Sequence, residues 1–253
     1  MDTPSKAMNK RRNRAIIVAG ARSRDVLSIA LMLKHFDYDT TVVNSAVNIV
    51  NQIAAVQPAL ITNYLNVPGI KGTKLFDLLK EDRRTASIPK IFVVSPGDIA
   101  GEKLCYGIGG AGCVTRPVQV DDLYRIVQEI IEPRTRTSIR LDARLDVSIN
   151  GVPLVCPDGP CRIDLSEHGM YVPSDKPLAP GKKVDVQIRI KDRNISAEGV
   201  VLHRSTVGRG RRNTSGMGIM FVKIDHRDQL AIRDFVRKEF SEGLKKELAR
   251  EDV

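Results

Sequence analysis

The chain has no tryptophan, and phenylalanine and tyrosine raise the aromatic share to only 4%. Proteins that bind single-stranded nucleic acid stack bases on aromatic platforms, so this scarcity argues against that class. No stretch approaches the roughly 18 consecutive apolar residues of a membrane-spanning helix, and no membrane insertion is expected. The cysteines are few: Cys105, Cys113, Cys156 and Cys161. Cys156-Pro-Asp-Gly-Pro-Cys161 is spaced more widely than a zinc knuckle, and no histidine follows at ligand spacing. These two cysteines therefore read as small apolar residues flanking a turn, and no metal is expected. Residues 1–13 are polar and basic with no apolar segment, which reads as a flexible tail and not a secretory signal. The compartment expected from this is a reducing cytoplasm. No Ser/His/Asp arrangement appears, so catalytic residues are not expected.

What the chain does have is length, charge and two distinct periodicities. Its 253 residues suffice for two ordinary domains. The net charge of +10 is spread over both halves and does not mark one nucleic-acid face. No helix-turn-helix pattern appears either, so no specific nucleic acid is expected. In the first half, short apolar runs (Ala15–Ala19, Thr40–Val43, Ala59–Thr62, Lys90–Val94, Gly112–Thr115) alternate with helical spacing. This predicts a doubly wound five-stranded parallel sheet over residues 14–131. After Pro133 the period falls to two. Leu141, Ala143, Leu145, Val147 and Ile149 alternate with polar residues, and Asn150-Gly151 signals a turn. Five further strands (Cys161–Leu165, Met170–Pro173, Lys183–Ile190, Ile195–His203, Gly216–Val222) and a closing helix from Asp225 predict a six-stranded β-barrel with a C-terminal helix over residues 132–253.

Two short pieces of the second half carry chemistry. Arg136-Thr-Ser-Ile-Arg140 sets two guanidinium forks just before the first strand. Asp164-Leu-Ser166-Glu-His-Gly169 lies between two short strands. An arginine fork bonds bidentately to guanine O6 and N7 or to phosphate, and its plane stacks on a base. A carboxylate accepts from guanine N1–H and its exocyclic amine. Ser166 adds a hydroxyl, and Gly169 allows close approach or a positive φ. Arg134 reads either as a linker charge or as a further phosphate contact. Arg140-Leu-Asp-Ala-Arg144 offers a competing register, but it places Arg144 in mid-strand. Arg204, Arg209, Arg211 and Arg212 read as a solvated loop or as a contact for partner or ligand.

The second half resembles the PilZ family of cyclic di-GMP receptors on these residues, with Gly216-Met-Gly-Ile-Met-Phe-Val222 similar to the family's late barrel strand. The resemblance implies cyclic di-GMP as ligand at Arg136, Arg140, Asp164, Ser166 and Gly169, and no cofactor. The first half resembles a response-regulator receiver domain on Gln57–Gly69, Ile91–Ser95 and Thr115-Arg116-Pro117. That family uses an aspartate as phosphoacceptor and an acidic pair to hold Mg²⁺. Here Tyr64 stands at the phosphoacceptor position, Ala19 and Gly20 replace the acidic pair, Ser95 fits, and Arg116 replaces a lysine. Carboxylates supply most of the affinity for Mg²⁺, so a pseudo-receiver is expected, serving as an interaction or homodimerisation surface. The function implied is a cytoplasmic second-messenger effector acting through a protein partner, in motility, adhesion or biofilm formation. The alternative is a ligand-independent scaffold.

Overall fold

A computed structural model describes residues 14–251, except 22, 45–48, 65, 68–69, 108, 133–137, 157–158 and 206–214. The described residues form two compact units, one holding 138–243 and the other 14–132 with 244–251.

In the unit built on the first half, the run AIIVA forms β1 (Ala15–Ala19), with Ile16 through Ala19 fully buried. A strand covered on both faces needs such an unbroken apolar run. β1 pairs in parallel with β2 (Asp39–Val43) on one side and β3 (Leu60–Tyr64) on the other. A small hairpin of β4 (Asn66–Val67) and β5 (Ile70–Lys71) follows β3, which the periodicity did not foretell. β6 (Lys90–Val94) and β7 (Gly112–Thr115) complete the sheet in the order β2-β1-β3-β6-β7. Helices α1 (Arg24–His35), α2 (Ile49–Val56), α3 (Gly72–Glu81), α4 (Ile99–Gly107) and α5 (Val120–Ile131) alternate with these strands. This is the expected doubly wound sheet, with the flavodoxin-like strand order.

Local chemistry sets the helices. Ser23 caps α1, its Oγ accepting from the Val26 amide at 3.3 Å. Val26, Ile29, Ala30 and Leu33 then recur at helical spacing on the buried face. Val26, Ile29 and Leu33 each contribute about 1.5–3 kcal/mol by leaving water. Ile17, Ile53, Ile61, Leu75 and Leu79 meet in one core cluster. Gly112 lets α5 approach β7, because a Cβ there would overlap the Ile126 side chain.

The second unit is built from β8 (Leu141–Ile149), β9 (Val152–Pro153), β10 (Cys161–Ser166), β11 (Gly169–Pro173), β12 (Lys183–Ile190), β13 (Arg193–Ser205) and β14 (Gly216–Ile224). All pairings are antiparallel, and β10 pairs with β8, which closes six strands into a barrel with β9 appended. β12 alternates strictly between exposed and buried residues, and Val184, Val186, Ile188 and Ile190 point inward. Asn150 and Gly151, at φ 52 and 75, form the tight turn after β8. Helix α6 (His226–Glu251) closes the chain. Asp225 caps it, Oδ1 accepting from the Arg227 amide at 2.8 Å. Its buried stripe is Ile232, Val236, Phe240, Leu244 and Leu248, one residue every four. Arg193 holds its first turn through Nε and Nη2 to Asp228 Oδ1, at 2.9 and 2.6 Å.

The reading of Cys156 and Cys161 as unbonded turn residues is corrected, since they form a disulfide. The turn brings their Cα atoms to 5.3 Å, inside the bonding range. Spacing alone does not reveal that approach. Cys105 and Cys113 remain free thiols. Among the described residues no helix is long and apolar enough to cross a membrane.

Candidate functional site

The motif Asp164-x-Ser166-x-x-Gly169 occupies the hairpin of β10 and β11, with Glu167-His168 as its two-residue turn. Ile163 and Leu165 point into the barrel at 0% exposure. The strand period then puts Arg162, Asp164 and Ser166 on the outward face. Even so, Asp164 and Ser166 are each only 5% exposed. Two polar side chains on the outside of a barrel are therefore sheltered from water. Ser166 Oγ donates to the Gly169 carbonyl at 3.0 Å, which braces the turn.

Gly169 is required for close approach. A Cβ there would overlap the Ile219 carbonyl oxygen of β14, and its φ is not left-handed. Of the two reasons the sequence allowed, only sterics applies. The turn is tied further to α6: Gln229 Nε2 lies 3.1 Å from His168 Nδ1 and 3.4 Å from the Glu167 carbonyl it donates to. Arg233 Nε stands 4.0 Å from Glu167 Oε2.

Arg140 is exposed and immediately precedes β8. Leu141 pairs with Leu165, so one further step of register sets Arg140 opposite Ser166. Arg136 and Arg134 lie outside the described residues, as do Arg209, Arg211 and Arg212. Arg144, of the competing register, sits within β8 opposite Arg162. Asp142 faces Asp164 across the same pair of strands, and Arg162 Nε donates to Asp142 Oδ1 at 2.8 Å. That bond, with the Asp142 charge and more weakly that of Asp164, raises the Arg162 pKa above its ordinary value. The cluster thus alternates cation and anion along one outward face, a surface suited to a ligand that bears both phosphate and base.

Register extends this face beyond the motif. Asp164 pairs with Tyr171, Tyr171 with Gly218, and Gly218 with His203. The Tyr171 and His203 rings are nearly parallel, 25° apart with centroids separated by 6.3 Å. Sequence reasoning did not single out either ring. Their only signal was the Gly-x-Gly of β14, whose partners are visible once the strands are paired.

In the other unit, Ala19, Tyr64 and Thr115 end β1, β3 and β7, and Ser95 and Arg116 directly follow β6 and β7. These positions share the carboxyl edge of the parallel sheet, where ligands of such folds bind. Arg116 Nη2 donates to Ser95 Oγ, and Arg116 Nη1 stands 3.7 Å from Asp25 Oδ2. Among the described residues no group of three or more His, Cys, Asp or Glu side chains could hold a metal.

Comparison with known proteins agrees with the barrel's architecture. Residues 132–238 match the family model of the PilZ domain. That match spans the barrel and part of the closing helix, while the parallel sheet lies before it. Solved structures similar to the chain include a response regulator from Desulfuromonas acetoxidans, 21% identical over 47% of this chain and 97% of that one, at a TM-score of 0.43. The receiver domain of NtrX from Brucella abortus is 18% identical over 47% of this chain and 99% of that one, at 0.43. No curated protein matches the chain.

Proposed function

We propose that this protein is a non-catalytic cyclic di-GMP effector. The observation that carries the reading is the sheltered pair Asp164 and Ser166 on the outward face, with Arg140 at the adjoining strand's entry. Sheltered from water, a carboxylate bonds a polar ligand more strongly than it would in solvent. In this reading Asp164 accepts from a guanine edge. Arg136 and Arg140, with Arg134 as the further candidate, grip phosphate and stack on a base. Ser166 and Gly169 shape the turn beneath.

The domains proposed are a basic tail over 1–13, a pseudo-receiver over 14–131 and the PilZ domain with its helix over 132–253. The segment carrying Arg134, Arg136 and Arg140 joins them. Its contacts with ligand shift the population toward a domain arrangement or surface that a protein partner reads. The pseudo-receiver, with Tyr64 in place of the phosphoacceptor, supplies that interaction or a homodimer contact. The setting is the bacterial cytoplasm, with motility or biofilm formation as output.

Isothermal calorimetry of the full chain with cyclic di-GMP tests this. Binding heat in wild type that is lost in Arg136→Ala, Arg140→Ala and Asp164→Ala is the expected result. Silence in wild type overturns the reading and leaves the scaffold alternative.

A further inference from the structure

We propose that Tyr171 and His203 form a shelf that takes the flat face of a purine base, beyond the arginine and Asp-x-Ser-x-x-Gly groups. The proposal rests on the cyclic di-GMP reading and deepens it. The shelf is a built feature of the barrel's outside. Asp164, Tyr171, Gly218 and His203 occupy one continuous row across β10, β11, β14 and β13. At about 4.8 Å per strand, the row from Asp164 to His203 spans about 14 Å.

β14 is bare where the rings lie. A Cβ at Gly216 would overlap Tyr171 Oη, and a Cβ at Gly218 would overlap the His203 ring. The two glycines are therefore seats for two rings, and the strand gives up side chains there so that both can lie across it. Tyr171 Oη shares a hydrogen bond with Ser205 Oγ, which fixes the phenol in place. The register irregularity between Val201 and His203 brings His203 opposite Gly218. Each ring is half-buried, leaving part of it open to a ligand.

The chemistry selects the occupant. Two near-parallel rings with centroids 6.3 Å apart offer aromatic surface, which suits a fused purine better than a sugar or a phosphate. Asp164 sits one strand away, in reach of the hydrogen-bonding edge of a base lying on Tyr171. One end of the row thus reads the edge of the base, and the rest supports its face. Base–aromatic stacking is insensitive to which base is present. The shelf therefore adds affinity, and the carboxylate adds selectivity for guanine.

The test is calorimetry and proton NMR on the full chain, titrated with cyclic di-GMP. His203→Ala is expected to weaken binding about 5- to 100-fold. His203→Phe, which keeps a flat ring, should stay within a few-fold of wild type. In wild type the His203 ring protons, assigned by their absence from the His203→Ala spectrum, should move upfield as a base stacks on them. A merely structural ring would not show that shift. Wild-type binding with an unmoved His203 signal and an unchanged His203→Ala affinity overturns the shelf alone. No wild-type binding overturns both the shelf and the reading beneath it.

Discussion

Gly169→Ala isolates the steric logic of the candidate site. At this position a Cβ meets backbone: it would overlap the Ile219 carbonyl oxygen and stand 3.1 Å from the Met220 Cα. Backbone in a paired strand cannot swing aside as a flexible side chain would. β11 must instead move away from β14 by on the order of 1 Å to restore ordinary contact. That displacement strains the Gly169–Met220 pairing and the Ser166 hydroxyl bond to the Gly169 carbonyl. Overpacking of this kind costs about 2–3 kcal/mol. For a unit of this size the melting temperature should fall by on the order of 10–20 °C. Gly151→Ala provides the contrast, since its φ is +75 and nothing lies within 4 Å of the added methyl. There the cost is only the left-handed backbone, about 1 kcal/mol. Hydrogen exchange at the β11 and β14 amides reports the barrel apart from the other unit. Gly169→Ala should speed exchange there far more than Gly151→Ala does. Equal protection in the two variants would refute the steric account.

Lys90 is 5% exposed, and its Nζ donates to the carbonyls of Ile88, Thr85 and Ala86 at 2.7, 3.1 and 3.4 Å. Lys90→Met orphans those acceptors and should destabilise its unit by about 2 kcal/mol in urea unfolding. Burial lowers the Lys90 pKa below its ordinary value. The folded state therefore releases its proton before the unfolded state as pH rises, so wild-type stability should gain as pH climbs toward the ordinary lysine value. That gain should be missing from Lys90→Met when the two unfolding curves are subtracted. Cys156→Ser opens the short loop closed by the disulfide to Cys161 and should cost about 2 kcal/mol by loop entropy. A reductant should lower wild-type stability to the variant's level and leave the variant unchanged; a wild type indifferent to reductant contradicts the bond.

Much of this molecule is legible in its sequence because its two periodicities are clean. Ala15–Ala19 is apolar throughout because β1 is covered on both faces, and Lys183–Ile190 alternates because β12 has one face in the barrel and one in water. Asn150-Gly151 announced its turn because few other residues accept two positive φ values in succession. The groups proposed to hold an anionic, guanine-bearing ligand stand out in the sequence as residue types at fixed spacing. What depended on tertiary structure was adjacency across strands. Asp142 lies opposite Asp164, and Arg162 reaches diagonally to Asp142, because β8 and β10 close the barrel; no spacing along the chain encodes that. The Cys156–Cys161 bond depended on how the turn brings two Cα atoms together. Tyr171 and His203 lie far apart in sequence, and they join Asp164 in one row only through the register of β11, β14 and β13. Local propensity fixed which residues form strands and turns, while long-range pairing, set by burial of one face of every strand, decided which side chains stand together on the other.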